Sequence, residues 1–537
     1  MAIGGSNVVA VGTANKVGLL VFDAAAGQRV AVTLSNVTIS SSVVKLYDTA
    51  GTMLASSTVT TAGAFIDAVT LGAAGTYTIL VDPNGSATGN MTVAVTNIVD
   101  VTGALATNGT PVTVPITTAG QNGRLTFTGT AGQRISTTLT ASFGLANRWP
   151  LSIVAPDGTV LGSVSEPGIG IQVEILEPIT LPVSGTYTVV VNPTGVTTGT
   201  VSVSAYDVVD VTGPIVTDGT PVTVPITTPG QRGRFAFTGT AGQRISVKLT
   251  AAFGLGSKWP LALLKPDGSI LAQAPAVGVG ITTEFIDPAT LPVTGTYTVL
   301  VDPTSVNTGT VTVAAYDLVD VTGPIVTDGT PVSVPITTPG QTGRFTFTGT
   351  TGQRISVKLT AAFGLGGKWP LALLKPDGST LAQVNELGNG ITGEFIDPAT
   401  LPVTGTYTVL VDPTSVNTGT VTISAYDVVD LTGSITVGAP AISVAITTPG
   451  QNALYTFAGT AGQVINNVTL TATFGLGGNW TLALLKPDGS TLASSTPLGG
   501  GTTTAVIGTQ TLPVAGTYTV FINPKTSSTG TVTVSAQ

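Results

Sequence analysis

Apolar and polar residues alternate along most of this chain with a period of two, the spacing that puts successive side chains on opposite faces of a β-strand. The pattern is clear between Val222 and Val313. Val222, Val224 and Ile226 share a face, as do Phe235 with Phe237, Ile245 with Val247 and Leu249, and Trp259 with Leu261 and Leu263. Phe285 marks a further strand, followed by Tyr297, Val299 and Val301, then Val311 and Val313. Turn sequences separate these runs: Pro229-Gly230, Thr240-Ala241-Gly242, Pro266-Asp267-Gly268 and Asp302-Pro303. The stretch predicts about seven to nine short strands spaced about 8 to 12 residues apart, the signature of two packed sheets. No segment has a helical period.

The same stretch recurs. Gly-Thr-Tyr-Thr begins at Gly75, Gly185, Gly295, Gly405 and Gly516, at spacings of 110, 110, 110 and 111 residues. A second anchor, Gly-Gln, keeps the same register at Gly27, Gly132, Gly242, Gly352 and Gly462. Self-similarity at a fixed period is the mark of a repeat array. The expectation is an all-β chain of five tandem β-sandwich domains, jelly-roll-like or Ig-like, covering residues 1–97, 98–206, 207–316, 317–426 and 427–537. The first module is divergent and shorter, and lacks the Trp found at Trp149, Trp259, Trp369 and Trp480. The third and fourth are nearly identical, and differ most in one segment, Ala274–Thr283 against Val384–Gly393, which reads as a variable surface loop. Tyr206 to Gly213 and its counterparts join the modules without a Gly/Ser-rich spacer, so relative movement is restricted. An odd strand count makes such an array a rod, an even count a zigzag. Both ends of the chain align with module edges, which reads as a five-module unit.

Composition narrows the function classes. Only 9% of residues are charged and the net charge of −8 is spread thinly, so no basic patch exists for nucleic acid. No apolar run approaches the roughly 18 residues of a spanning helix. The opening Met1-Ala2-Ile3-Gly4-Gly5 has no signal-peptide pattern. With 0 Cys and 0 His, the chain has no disulfides, no thiolate or imidazole metal ligands, and no Ser-His-Asp or Cys-His machinery.

Four residue sets remain. Glu166, Glu174, Glu177, Glu284, Glu386 and Glu394 fall only in the second to fourth modules, and a glycosidase-like pair is formally open to them. No sequence feature suggests the cleft such a pair needs, and the expectation is that the chain is not an enzyme. The four Trp residues lie on apolar strand faces, which favours core packing over a sugar platform. The Asp residues at the junctions, Asp207 with Asp210, Asp317 with Asp320 and Asp427 with Asp430, are the only candidates for calcium; otherwise no cofactor is expected. Arg29, Arg134, Arg244 and Arg354, replaced by Val464 in the last module, read as solvated or packed edge positions.

Taken together, Pro339 to Thr350, Gly352 to Arg354, Leu374 to Ala382 and Gly-Thr-Tyr-Thr-Val-Leu-Val-Asp-Pro from Gly405 resemble tandem β-sandwich repeats of large bacterial secreted and surface proteins. Some of those are attached to RHS/YD-repeat regions, and the module is broadly similar to pre-peptidase C-terminal domains. The resemblance implies an exported bacterial accessory module. The resulting expectation is an extracellular or cell-surface structural array: a stalk, surface fibre or filament subunit that associates with itself or with other surface proteins. Few charges leave little repulsion between copies, and sheet edges are templates for pairing. An adhesin or carbohydrate-binding array, using the variable loops on glycans, is the alternative.

Overall fold

The computed structural model describes the chain except for residues 142–147, 165–172, 252–258, 275–281, 366, 385–390, 473–479 and 497–502. The variable segments, with Glu166 and Glu386, lie largely or wholly outside the described residues. Every described element is a strand, and no helix is long and apolar enough to cross a membrane.

The third repeat shows the plan. One sheet runs in the order Val222–Ile226, Gly309–Asp317, Arg244–Ala251, Thr283–Thr290. The facing sheet runs Val211–Pro214, Gly233–Gly239, Gly295–Val301, Leu261–Leu264, Ile270–Gln273. All neighbours are antiparallel except Val211–Pro214, which lies parallel to Gly233–Gly239. The inward faces carry the alternating residues seen in the sequence, and Val224, Phe235, Ile245, Val247, Leu249, Leu261, Leu263, Tyr297, Val299 and Val313 form one core. Four further cores of the same kind follow the repeats. Trp149, Trp259, Trp369 and Trp480 are buried, with at most 3% of their surface exposed. The Tyr of each Gly-Thr-Tyr-Thr is buried too: Tyr297 stacks on Phe237 at 5.7 Å and donates its hydroxyl to the Val293 carbonyl at 2.7 Å, so its polar end is satisfied.

The route of the chain settles how one repeat leads to the next. The last strand returns beside the first strand of its sheet, and Asp317 N–H bonds Thr217 O at 2.7 Å. Taken alone, these antiparallel strands would bring the chain back to where it entered. Val211–Pro214 supplies the missing traverse, because it enters at the opposite end, beside Gly233, and carries the chain along the unit before the first antiparallel strand begins. Each of the second to fifth repeats, all of which have such a strand, therefore advances the chain by one unit, about 25 to 30 Å for strands of seven to nine residues.

The expectation of five separate β-sandwich domains, jelly-roll-like or Ig-like, is corrected by what joins the units. The chain is one continuous, stacked, solenoid-like β array rather than a string of separate domains. Ser136 of the second repeat bonds Pro229 of the third, Arg134 pairs with Asp210, and the counterparts recur one repeat further on. Side chains and backbone thus interlock across each boundary, as in repeat proteins where every unit packs on its neighbours.

Candidate functional site: the joints between repeats

The joint begins with a β-bulge. Pairing between Arg244–Ala251 and Thr283–Thr290 slips after Ile245, so Ser246 stands opposite two residues, Asp287 and Pro288. Proline is tolerated at such a bulge because no ladder hydrogen bond is required of it. Ser246 is fully buried, and its Oγ donates to Pro339 O of the next repeat at 2.7 Å. Ser136 to Pro229 (2.7 Å) and Ser356 to Pro449 (2.8 Å) repeat the bond. Gly340, next to Pro339, has φ +86° and approaches so closely that a Cβ there would lie 2.9 Å from Pro288 Cγ. Glycine meets both demands, a left-handed backbone and no side chain. Gln341 then braces the turn: its Oε1 accepts from Thr337 N–H at 2.9 Å and its Nε2 donates to Val319 O at 2.7 Å.

Beside this contact sits a carboxylate held from both sides. Asp210 accepts from Arg134 Nη1 of the second repeat at 2.6 Å, from Arg234 Nε of the third at 3.1 Å, and from Arg232 N–H at 3.2 Å. Asp320 is held likewise by Arg244 (2.6 Å), Arg344 (3.2 Å) and Thr342 N–H (3.3 Å). Asp100 is held by Arg29, by Arg124 at 2.8 Å and by Asn122 N–H at 3.0 Å. Asp430 pairs with Arg354 at 2.6 Å and accepts Asn452 N–H at 3.0 Å, but Leu454 stands where the second Arg would be. Burial pushes the Asp320 carboxyl up, yet hydrogen bonding from Thr342 and Arg244 and the Arg244 charge outweigh it and hold the group below its ordinary value.

Arg29, Arg134, Arg244 and Arg354 are therefore the near half of a clamp, not simple edge positions. The junction Asp pairs are split. Asp210, Asp320 and Asp430 have guanidinium partners, while Asp207, Asp317 and Asp427 lie exposed at strand ends and use their backbone N–H on Thr107, Thr217 and Thr327 at 2.7 Å. Among the described residues no group of three or more Asp or Glu is arranged to hold a metal ion. The hairpin-tip carboxylates make turns: Asp267 accepts from Ser269 Oγ and N–H, which hold its pKa low.

Glu174, Glu284 and Glu394 occupy one equivalent position in three successive repeats rather than meeting in a cleft. Glu284 stands opposite Leu249 on the core side of its strand and is 4% exposed, and burial pushes its carboxyl up to about 7. Burial raises Glu174 and Glu394 as well.

A second charge group flanks the joint between the second and third repeats. Arg232 Nε pairs with Asp302 at 2.8 Å, and both face Glu177 of the second repeat. Burial raises Glu177, Asp302 raises it further, and Arg232 lowers it. One repeat on, Thr342 replaces Arg232, and Asp287 and Asp412 stand at the positions of Glu177 and Asp302. A groove of about 580 Å³ opens there, lined by Phe285, Asp287, Pro288, Gly340, Asp412 and Thr414 among others.

No protein-family model and no curated protein matches the chain. Among solved structures, it is similar to the pre-peptidase C-terminal domain of collagenase from Bacillus anthracis (13% identity, TM-score 0.17, 20% of this chain and 95% of that one). It is also similar to a periplasmic inhibitor of g-type lysozyme from Aeromonas hydrophila (17% identity, TM-score 0.15, 20% of this chain and 100% of that one). A third neighbour is the PBSX exported protein XepA (12% identity, TM-score 0.13, 38% of this chain and 85% of that one). Scores this low carry no argument about function.

Proposed function

We propose that the chain is a non-enzymatic structural array that works as a stiff spacer at or outside the cell surface, as a stalk or fibre element. The observation that carries the reading is the clamp: at each of the four joints an Asp is held by an Arg of the preceding repeat and a backbone N–H of the next. Such coupling resists bending between units while serving no evident chemistry. The motif resemblance to tandem repeats of bacterial secreted and surface proteins, some attached to RHS/YD regions, supports an exported setting.

Self-association belongs to the same reading, through sheet edges rather than through the joint. The first repeat carries Ala14-Asn15-Lys16 where the joint uses Pro-Gly-Gln, and the last carries Val464 and Asn466 where it uses Arg and Ser. Small-angle scattering and negative-stain imaging of the full chain test the proposal. The expected particle is a straight rod of five unit lengths. Strongly bent or compact particles would sink the spacer reading, and monodisperse particles with specific glycan-array signals would replace it with an adhesin.

A further inference from the structure

We infer that the joint between the third and fourth repeats is more compliant than the joint between the second and third. The second and third joints share the same scaffold: Ser246 and Pro339 repeat Ser136 and Pro229, and Arg244–Asp320–Arg344 repeats Arg134–Asp210–Arg234. Two of the differences between them face one another across the joint. Glu177 and Arg232 of the second joint become Asp287 and Thr342 at the third, and both changes shorten the side chain.

The consequences are physical. At the second joint a cation lies between two carboxylates, with Arg232 on Asp302 at 2.8 Å and Glu177 near both. At the third joint Thr342 stands in the place of Arg232. The shortened residues leave the groove of about 580 Å³, and Asp287 and Asp412 face one another across it. The Asp412 side chain is exposed in area but sits in a concave site, and its carboxyl is raised by lost solvation; Arg344 and Arg244 oppose this, while Asp287 and Asp320 reinforce it. Lys248 stands opposite Phe285 on the adjacent strand. Thr342 is itself buried, and its Oγ1 has no hydrogen bond of good geometry, although it lies near enough to Asp320 to affect that group. A direct ion pair has been replaced by a void, an unpaired hydroxyl and two facing carboxylates whose mutual repulsion is offset by the Arg344 and Arg244 charges.

This inference compares two joints of one molecule and does not depend on the spacer reading. The chain has 0 Cys, so single cysteine pairs report cleanly. Spin labels at the equivalent exposed positions Thr186 and Thr296 span the second joint, and labels at Thr296 and Thr406 span the third. Pulsed dipolar measurements on the full chain are expected to give a wider distance distribution across the third joint near pH 7. The double substitution Asp287→Glu with Thr342→Arg should bring it to the width of the second joint. The reciprocal Glu177→Asp with Arg232→Thr should widen the second joint, and it decides the matter should the first variant fail to fold. Equal widths in the unmodified protein, or a second joint unchanged by the reciprocal variant, overturn the inference.

Discussion

Replacing Glu284 by Gln should change how the third repeat responds to pH, and the size of the change follows from where that carboxyl sits. Its strand partner is Leu249, it is 4% exposed, and among the described residues no hydrogen-bond donor compensates for lost hydration. In the unfolded chain the group has its ordinary value of 4.5, whereas in the folded chain burial pushes it up to about 7. The folded state therefore holds its proton over a range where the unfolded state has released it. Stability is highest below the unfolded value, falls as pH rises between the two, and levels off above the folded one. A difference of this size corresponds to on the order of 3 kcal/mol lost between about pH 4 and pH 8. Gln has no charge to bury, so the variant should lose this slope whatever constant offset its amide introduces. Hydrogen exchange at the amides of Ile245, Val247 and Ile286, corrected for intrinsic rates, gives the local opening free energy of this repeat within the full chain. Parallel pH profiles for the unmodified protein and E284Q would refute the reasoning.

Three further outcomes follow from the same structure. Asp210→Asn leaves Arg134 and Arg234 without their shared anion and should cost about 1 to 3 kcal/mol of coupling between the second and third repeats, read as a split into separate unfolding transitions in calorimetry. Trp259→Ala removes a ring that is 3% exposed and should destabilise the third repeat by about 3 to 5 kcal/mol in urea titration, and an unchanged midpoint would show that the ring does not support the core. Gly340→Ala puts a methyl group 2.9 Å from Pro288 Cγ on a φ of +86°, and should cost about 1 to 3 kcal/mol and displace the fourth repeat from the third, visible as a shifted Thr296–Thr406 label distance.

The strand faces, the turn sequences and the burial of all four Trp residues were legible because each is local: period two, Pro-Asp-Gly and an aromatic among leucines all fall within a few residues. The joints were not. Arg134 and Asp210 are 76 residues apart, and Asp210 and Arg234 are 24 apart, so neither pairing leaves a pattern in a short window. Ser246 looked like one more polar residue in an alternating strand, and only the bulge opposite Asp287-Pro288 turns it toward the next repeat. The strand Val211–Pro214 was missed because four residues containing Gly and Pro carry too little alternation, and without it the odd or even count had no answer. Separate domains were expected because each repeat can close its own core, and nothing in a strand pattern reveals contacts made by turns.

That short parallel strand also governs how the array bears tension. A pull along the chain reaches the third repeat through Val211 and leaves through Asp317, at opposite ends of the unit. Val211–Pro214 lies along that line, and its bonds to Gly233–Ala236 run across it, so they are loaded in shear and must yield together rather than peel apart one at a time. The exit strand Gly309–Asp317 is flanked on both sides by neighbours and is sheared in the same way. The second to fifth repeats, which have this entry strand, thus resist extension at the point where the chain enters them, and a unit that gave way would also release the clamps it shares with the repeats beside it.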